Sequence, residues 1–234
     1  MADPGATTAS AAAPSRDGRS SSRRGPETRD AIERAATELF ARLGYHATSM
    51  RAIAAAAGVQ PAAIYHWYAN KEAILVHLQD DFMERLTDKV IAAIGLHRRP
   101  AMRLAAAVRE HVTFHGIHRR EAFVTDSEIR ALTEGPRRAL IANRDRYQAM
   151  FSEMIRDGIR DGSLRASDAH VATYAILLQC TGVALWFDPR GPLTLEQVAE
   201  LHVELVLGSL QAPGKLIAEA IESVSRGAVG AQEG

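Results

Sequence analysis

Thr48-Ser49-Met50-Arg51-Ala52-Ile53-Ala54-Ala55-Ala56-Ala57-Gly58-Val59-Gln60-Pro61-Ala62-Ala63-Ile64-Tyr65-His66-Trp67-Tyr68-Ala69-Asn70-Lys71-Glu72 is the stretch whose reading decides the fold. Met50, Ile53, Ala54 and Ala57 recur at helical spacing behind Thr48 as N-cap, and Gly58 ends the run. After the Gly58-Val59 turn, Gln60 stands at a cap and Pro61 at the first helical position, where its missing N–H does no harm. This second short helix runs to about Trp67, and Asn70 caps a longer one from Lys71. Two short helices around a glycine turn, braced by a third, make a helix-turn-helix.

The brace lies upstream. Ile32, Ala35, Ala36, Leu39, Phe40 and Leu43 form one helical stripe, and Gly44 stops it in the left-handed conformation. Downstream, helices are expected at 71–95, 100–117, 119–133, 136–162, 167–187 and 194–211, punctuated by Gly95, Pro100, Gly135-Pro136, Gly162 and Asp188-Pro189-Arg190-Gly191-Pro192. The fold class is therefore all-α: an N-terminal helix-turn-helix domain over residues 27–72 and a larger helical ligand-binding and dimerisation domain over 73–211. Residues 1–26, rich in Ala, Ser, Gly and Pro, read as a disordered basic leader. Its Arg16, Arg19, Arg23 and Arg24 either reach DNA or sit in solvent. Residues 212–234 read as a C-terminal tail with one weak helical pattern at Leu216, Ile217, Ala220 and Ile221.

The 234 residues, 47% hydrophobic, suffice for a sizeable core. A formal net charge of zero excludes a general electrostatic grip on nucleic acid, so DNA binding must be local and geometric. The single cysteine, Cys180, leaves no intramolecular disulfide and no cysteine zinc cluster, which suits a reducing cytoplasm. An opening apolar run and an uninterrupted span of ~20 apolar residues are both missing, so no secretory signal and no membrane partner are expected. Glycine-rich phosphate loops, nucleophile elbows and cysteine–histidine arrangements are likewise missing, and neither an enzyme nor a cofactor is expected.

In the second short helix Ile64 and Tyr68, four apart, point inward, which leaves Gln60, Pro61, Ala62, Ala63 and His66 outward and Tyr65 at the flank. Small side chains let such a helix sit deep in a major groove, where Gln60 bonds a base edge and Pro61 and Ala62 touch thymine methyls. Tyr65 and His66 suit bases or phosphates, while Thr48 and Lys71 suit the flanking backbone. From Thr48 to Glu72 the chain resembles the TetR family of bacterial repressors, and the likeness extends over about residues 28 to 78. The resemblance implies a DNA-reading surface of Gln60, Pro61, Ala62, Tyr65 and His66 with Lys71 as phosphate anchor. Tyr68 replaces a frequent phenylalanine, so its hydroxyl needs a partner.

One short recognition helix reads few base pairs, so a homodimer on a palindromic double-stranded operator is expected, its half-sites roughly 34 Å apart. Two stripes suit the interface: Val171, Tyr174, Ala175, Leu178, Gly182 and Leu185, and Leu195, Val198, Leu201, His202, Leu205, Val206 and Leu210. Either stripe would equally serve the chain's own core. The resemblance implies a small-molecule effector in the body. His111, His115, Arg119, Tyr147 and Gln179 are its polar candidates, and Phe114, Ile117, Phe123, Met150, Met154, Ile176, Cys180 and Trp186 line the apolar side, with core packing the alternative for each.

The segments from His118 to Phe123, Glu128 to Leu132 and Trp186 to Thr194 look like the ligand domain of TetR proteins governing lipid and sterol-ring catabolism, several of which sense acyl-CoA thioesters. That likeness would make Trp186 an adenine platform and Arg119, Arg130 or Arg190 phosphate partners, with Leu185 where such proteins often carry arginine. His111, His115 and His118, spaced by four and three, open the alternative of a metal-sensing regulator. A docking surface for a protein partner around Trp186 and Arg190 is a third reading.

Overall fold

A computed structural model describes residues 25–230, and side chains from 25 to 225. Most of the basic leader lies outside those residues. Helices make up the fold, with no strand among the described residues. The head is α1 (Gly25–Leu43), α2 (Met50–Ala57) and α3 (Pro61–Trp67). The long α4 (Lys71–Gly95) leads into α5 (Pro100–Ile117), α6 (Arg119–Ser127), a single 3-10 turn (Glu128–Ala131) and α7 (Glu134–Arg160). Then follow α8 (Ala169–Thr181), the one-turn α9 (Val183–Trp186), α10 (Leu195–Ser209) and α11 (Gly214–Gly230).

The head closes on Ile32, Phe40, Ile53 and Ile64, all fully buried. Gly58 ends α2 with φ 68°, a conformation in which a Cβ is costly, and so sets the turn that aims α3. The N-cap of α2 is Ser49, which accepts from the Ala52 amide, and not Thr48. Thr48 instead turns inward, 3% exposed, and donates to the carbonyls of Leu39 and Gly44.

In the body α5 is the central element, packed against α4, α7, α10 and α11. Gly116 lets α10 approach closely, since a Cβ there would stand 2.2 Å from a methyl of Leu195. Three expectations need correcting. The helix expected over 119–133 gives way to the 3-10 turn after Ser127, and that over 167–187 breaks at Gly182, whose own Cβ would crowd the Leu178 carbonyl at 3.3 Å. The expected tail is α11, which buries Leu216, Ala220 and Val224 and packs on α10 and α5.

The two interface stripes divide. Val198, His202, Val206 and Leu210 enter the chain's own core, but Leu201 and Leu205 on the same helix are exposed. On α8 and α9, Val171, Tyr174, Leu178 and Leu185 are all more than half exposed, Leu178 at 78%. The stretch Ala169–Trp186 is long and apolar enough for a membrane span by composition alone. That composition reflects this outward apolar face together with an inward one at Thr173, Ile176 and Cys180.

Candidate functional site

At the tip of the head, α3 presents Pro61, Ala62, Tyr65 and His66 to solvent, with Gln60 exposed at its N-cap. The Gln60 side chain makes no capping bond, so its amide is available. Tyr65 is 56% exposed, and Ile64 and Tyr68 anchor the opposite side. The Tyr68 hydroxyl finds its partner: it donates to Glu33 Oε1 at 2.5 Å and accepts from Arg29 Nε at 3.3 Å. Burial and the Glu33 carboxylate hold that phenol well above its usual range. Glu33 also meets His77 of α4 at 3.0 Å, so α1, α3 and α4 share one polar knot behind the reading face.

Two residues expected on DNA are engaged elsewhere. Thr48 is inside, as described. The Lys71 ammonium donates to the carbonyls of Tyr45 and Thr48 at 2.5 and 2.7 Å and lies 4.1 Å from the centre of the Tyr45 ring. Burial lowers its pKa against the opposing pull of Glu128. Lys71 therefore closes the α1–α2 connection, its ammonium engaged with these two carbonyls. A hint was present in the sequence: a cation at the first position of a helix opposes the macrodipole, so it needs carbonyl partners from another segment.

The body holds a cavity of about 530 Å³, walled by Phe82, Met83 and Leu86 of α4, His111 and His115 of α5, Phe123 and Thr125 of α6, Arg144, Tyr147 and Gln148 of α7, and Tyr174, Leu177, Leu178, Thr181 and Leu185 of α8 and α9. This size suits a small ligand. Its polar floor is a chain of neutral groups. His111 bonds the Tyr147 hydroxyl at 2.8 Å through Nδ1 and the Thr181 hydroxyl at 3.1 Å through Nε2. The His115 ring stacks on that of His111, centroids 4.1 Å apart and planes within 9°. His115 Nδ1 faces the His111 carbonyl at 2.9 Å. A carbonyl only accepts, so Nδ1 carries the proton, and Nε2 is an acceptor with no partner among the described residues. Burial pushes the His115 pKa down to about 4, and burial with the His115 and His202 charges takes His111 well below its ordinary value. At the rim, Arg144 donates to the Thr125 carbonyl at 2.8 Å and to Asp126 at 3.2 Å, while its buried Nε is unpartnered.

Of the effector candidates, the cavity unites His111, His115, Tyr147 and the apolar Phe123. Gln179 points to solvent, and Cys180 is fully buried behind the wall, its thiol pushed up to about 12 by burial. Trp186 is 56% exposed beside the cavity, its ring parallel to His202 with centroids 6.1 Å apart. Arg190 is outside and pairs with Asp188 at 3.2 Å. Arg119 lines a separate cleft. For the metal alternative, no three potential ligands converge among the described residues; His118 meets Glu121 at 3.1 Å, while His115 turns its Nδ1 to a carbonyl. Sequence periodicity missed Phe82, Met83, Leu86 and Arg144. They lie on stripes that look like any core stripe, and only the tertiary gap between α4 and α7 distinguishes them.

Two family profiles match the chain: that of the N-terminal domain of bacterial regulatory proteins of the tetR family over residues 32–78, and that of the tetracyclin repressor-like C-terminal domain over 97–210. The HTH-type transcriptional repressor KstR2 of Mycobacterium tuberculosis is 29% identical over 199 residues, covering 84% of this chain and 97% of that protein. A tetR-family regulator from Rhodococcus RHA1 superposes with a TM-score of 0.75 at 28% identity, over 80% of this chain and 98% of that one. AibR in complex with isovaleryl coenzyme A and operator DNA superposes at 0.70 and 28% identity, over 76% and 97%.

Proposed function

Because the chain belongs to the tetR family of bacterial regulators and is a transcriptional repressor of that type, we propose that it acts in the cytoplasm as a homodimer on a palindromic operator and lets go when an acyl-CoA thioester enters the body. The observation that carries the reading is the pairing of an exposed, small-residue α3 face with a cavity whose α4 wall runs straight into the head. Gln60, Pro61, Ala62, Tyr65 and His66 form the DNA-reading surface. The exposed apolar faces of α8, α9 and α10 take a second copy, which sets two reading heads one DNA turn apart.

The apolar walls suit an acyl group. The guanidinium of Arg144, a donor, suits a carbonyl within the ligand, and the free Nε2 of His115, an acceptor, suits an N–H or O–H donor on it. Support for a thioester comes from AibR, described in complex with isovaleryl coenzyme A. The effector displaces the operator if it binds better to the arrangement in which the heads are wrongly spaced.

The test is a mobility shift of the DNA upstream of the protein's own coding region at fixed salt, repeated with isovaleryl-, octanoyl- and palmitoyl-CoA. Retarded DNA released by a thioester supports the whole reading. Retardation that every thioester leaves intact removes the effector assignment and keeps the repressor.

A further inference from the structure

On the floor of the effector cavity the hydrogen-bonding groups outnumber the bonds they make with one another. His111 is a neutral imidazole, held by burial well below its ordinary pKa, so one of its ring nitrogens donates and the other accepts. Its partners are the hydroxyls of Tyr147 and Thr181. Whichever tautomer His111 takes, one of those hydroxyls accepts from the ring and keeps its own proton unspent, and both residues line the cavity. His115 adds the complementary group. It is 3% exposed, its Nδ1 proton goes to the His111 carbonyl, and its ring lines the same space with Nε2 left as an acceptor. The two rings lie face to face at 4.1 Å, so the unspent hydroxyl proton and the unfilled Nε2 belong to one small area of wall.

The chemistry of that area selects among ligand groups. A methylene satisfies neither group, a carbonyl satisfies only the proton, and an amide N–H satisfies only Nε2. A hydroxyl donates and accepts at once, and so satisfies both. Arg144 decides what stands next to it. Its Nε, shielded from solvent and unpartnered, is a donor on the same cavity. Its guanidinium is near enough to His115 for its charge to bear on the ring. A donor and an acceptor so placed fit a carbonyl and a hydroxyl separated by a short stretch of chain.

We propose that the effector is a 3-hydroxyacyl thioester, whose hydroxyl donates to His115 Nε2 and accepts from the free hydroxyl of Tyr147 or Thr181, while its carbonyl takes the Arg144 Nε proton. The inference rests on the thioester reading above and adds to it the functional group carried by the acyl chain. It makes His115 the residue that determines specificity. An unsubstituted chain would seal Nε2 and the hydroxyl proton among apolar walls, and buried polar groups left unpaired are what let a site reject the analogue that lacks a hydroxyl. The state of the ring suits the role: with burial holding its pKa at about 4, His115 remains an acceptor at neutral pH.

The test measures dissociation constants by calorimetry for octanoyl-CoA, each enantiomer of 3-hydroxyoctanoyl-CoA and free 3-hydroxyoctanoate. The proteins are the wild type, His115→Phe, Tyr147→Phe and Thr181→Val. Each is read by the ratio of its own affinities for the hydroxylated and the plain thioester, a quantity independent of the fraction folded. Wild type should favour one 3-hydroxy enantiomer over octanoyl-CoA by about tenfold or more. His115→Phe, which keeps a ring without the acceptor, should bring that ratio to about one. Of Tyr147→Phe and Thr181→Val, the variant that removes the free proton should lower the ratio by about threefold or more, and this pair carries the test should His115→Phe not fold. A wild-type ratio of one for both enantiomers overturns the inference, and octanoyl-CoA binding in that case leaves the thioester reading standing. A preference that His115→Phe retains in full, or that survives in both hydroxyl variants, also overturns it. Binding of free 3-hydroxyoctanoate but of no CoA thioester overturns the thioester reading and supports the hydroxyl contact. No binding of any of these compounds by wild type overturns both.

Discussion

Lys71 and Tyr65 lie six residues apart in a motif that invites the same interpretation for both, and the structure separates them. Tyr65 is exposed on α3, whereas Lys71 holds the carbonyls of Tyr45 and Thr48. Tyr65→Ala should therefore weaken operator binding by about tenfold or more at an unchanged melting temperature. Lys71→Met should do the converse: it leaves two carbonyls short of a charged donor, costs about 1–3 kcal/mol of stability, and leaves the salt dependence of DNA binding unaltered. Paired measurements of melting and of affinity against salt concentration distinguish the two. The stacked His111 and His115 give a second expectation at this scale. Both stay neutral when folded, with His115 at about 4, against an ordinary value near 6.5 when unfolded. Between those values the unfolded chain holds the extra protons, so stability is fully present above pH 6.5 or so and falls as the pH drops towards 4. Denaturant melts at pH 7 and 5 should show that fall, and His115→Leu should reduce it.

Helices meet here through a few small residues. At the end of α7 a Cβ on Gly158 would stand 2.4 Å from Leu164 Cδ1 and 2.6 Å from its Cγ, and Leu164 is 1% exposed. Gly158→Ala should therefore cost about 1–3 kcal/mol through overpacking, in contrast to Gly135→Ala, where nothing lies within 4 Å; thermal melts compare them directly. Much at this scale was legible in the sequence. The ends of α4 and α5 fall where Lys71, Gly95, Pro100 and Ile117 place them, because a cap, a glycine and a proline act locally and leave little choice. What escaped was decided by tertiary contact. Thr48 and Ser49 are equally good caps on paper, and only the carbonyls of Leu39 and Gly44 choose between them. The helical pattern at Leu216 and Ala220 looked weak alone and became a full helix because α5 and α10 offered it an apolar bed. Likewise the α3 face follows from four-residue spacing, but which residues border a void does not, since a core stripe and a cavity wall have the same periodicity.

At the scale of the whole molecule, the exposed leucines of α8, α9 and α10 need a cover, and a second copy supplies it in the reading above. Leu178→Glu with Leu205→Glu should yield a monomer by light scattering that keeps its helical circular dichroism and loses operator binding, since one head alone reads too few base pairs. A double variant that remains dimeric would place the interface on another face. The uninterrupted course of α4 has a further bearing on scale. Residues 71–95 form one rod, and from Phe82 at the cavity wall to Lys71 at the head it measures about 17 Å at 1.5 Å per residue. A pivot of about 6° at the wall, a displacement no larger than a side chain's thermal play, would carry the head end about 1.7 Å by that same length. Applied oppositely in two copies, such pivots alter the span between the heads by about 3 Å, a tenth of the ~34 Å that separates successive major grooves. The rod thus works as mechanical gearing, in which a ligand too small to touch DNA is read out on the pitch of the double helix.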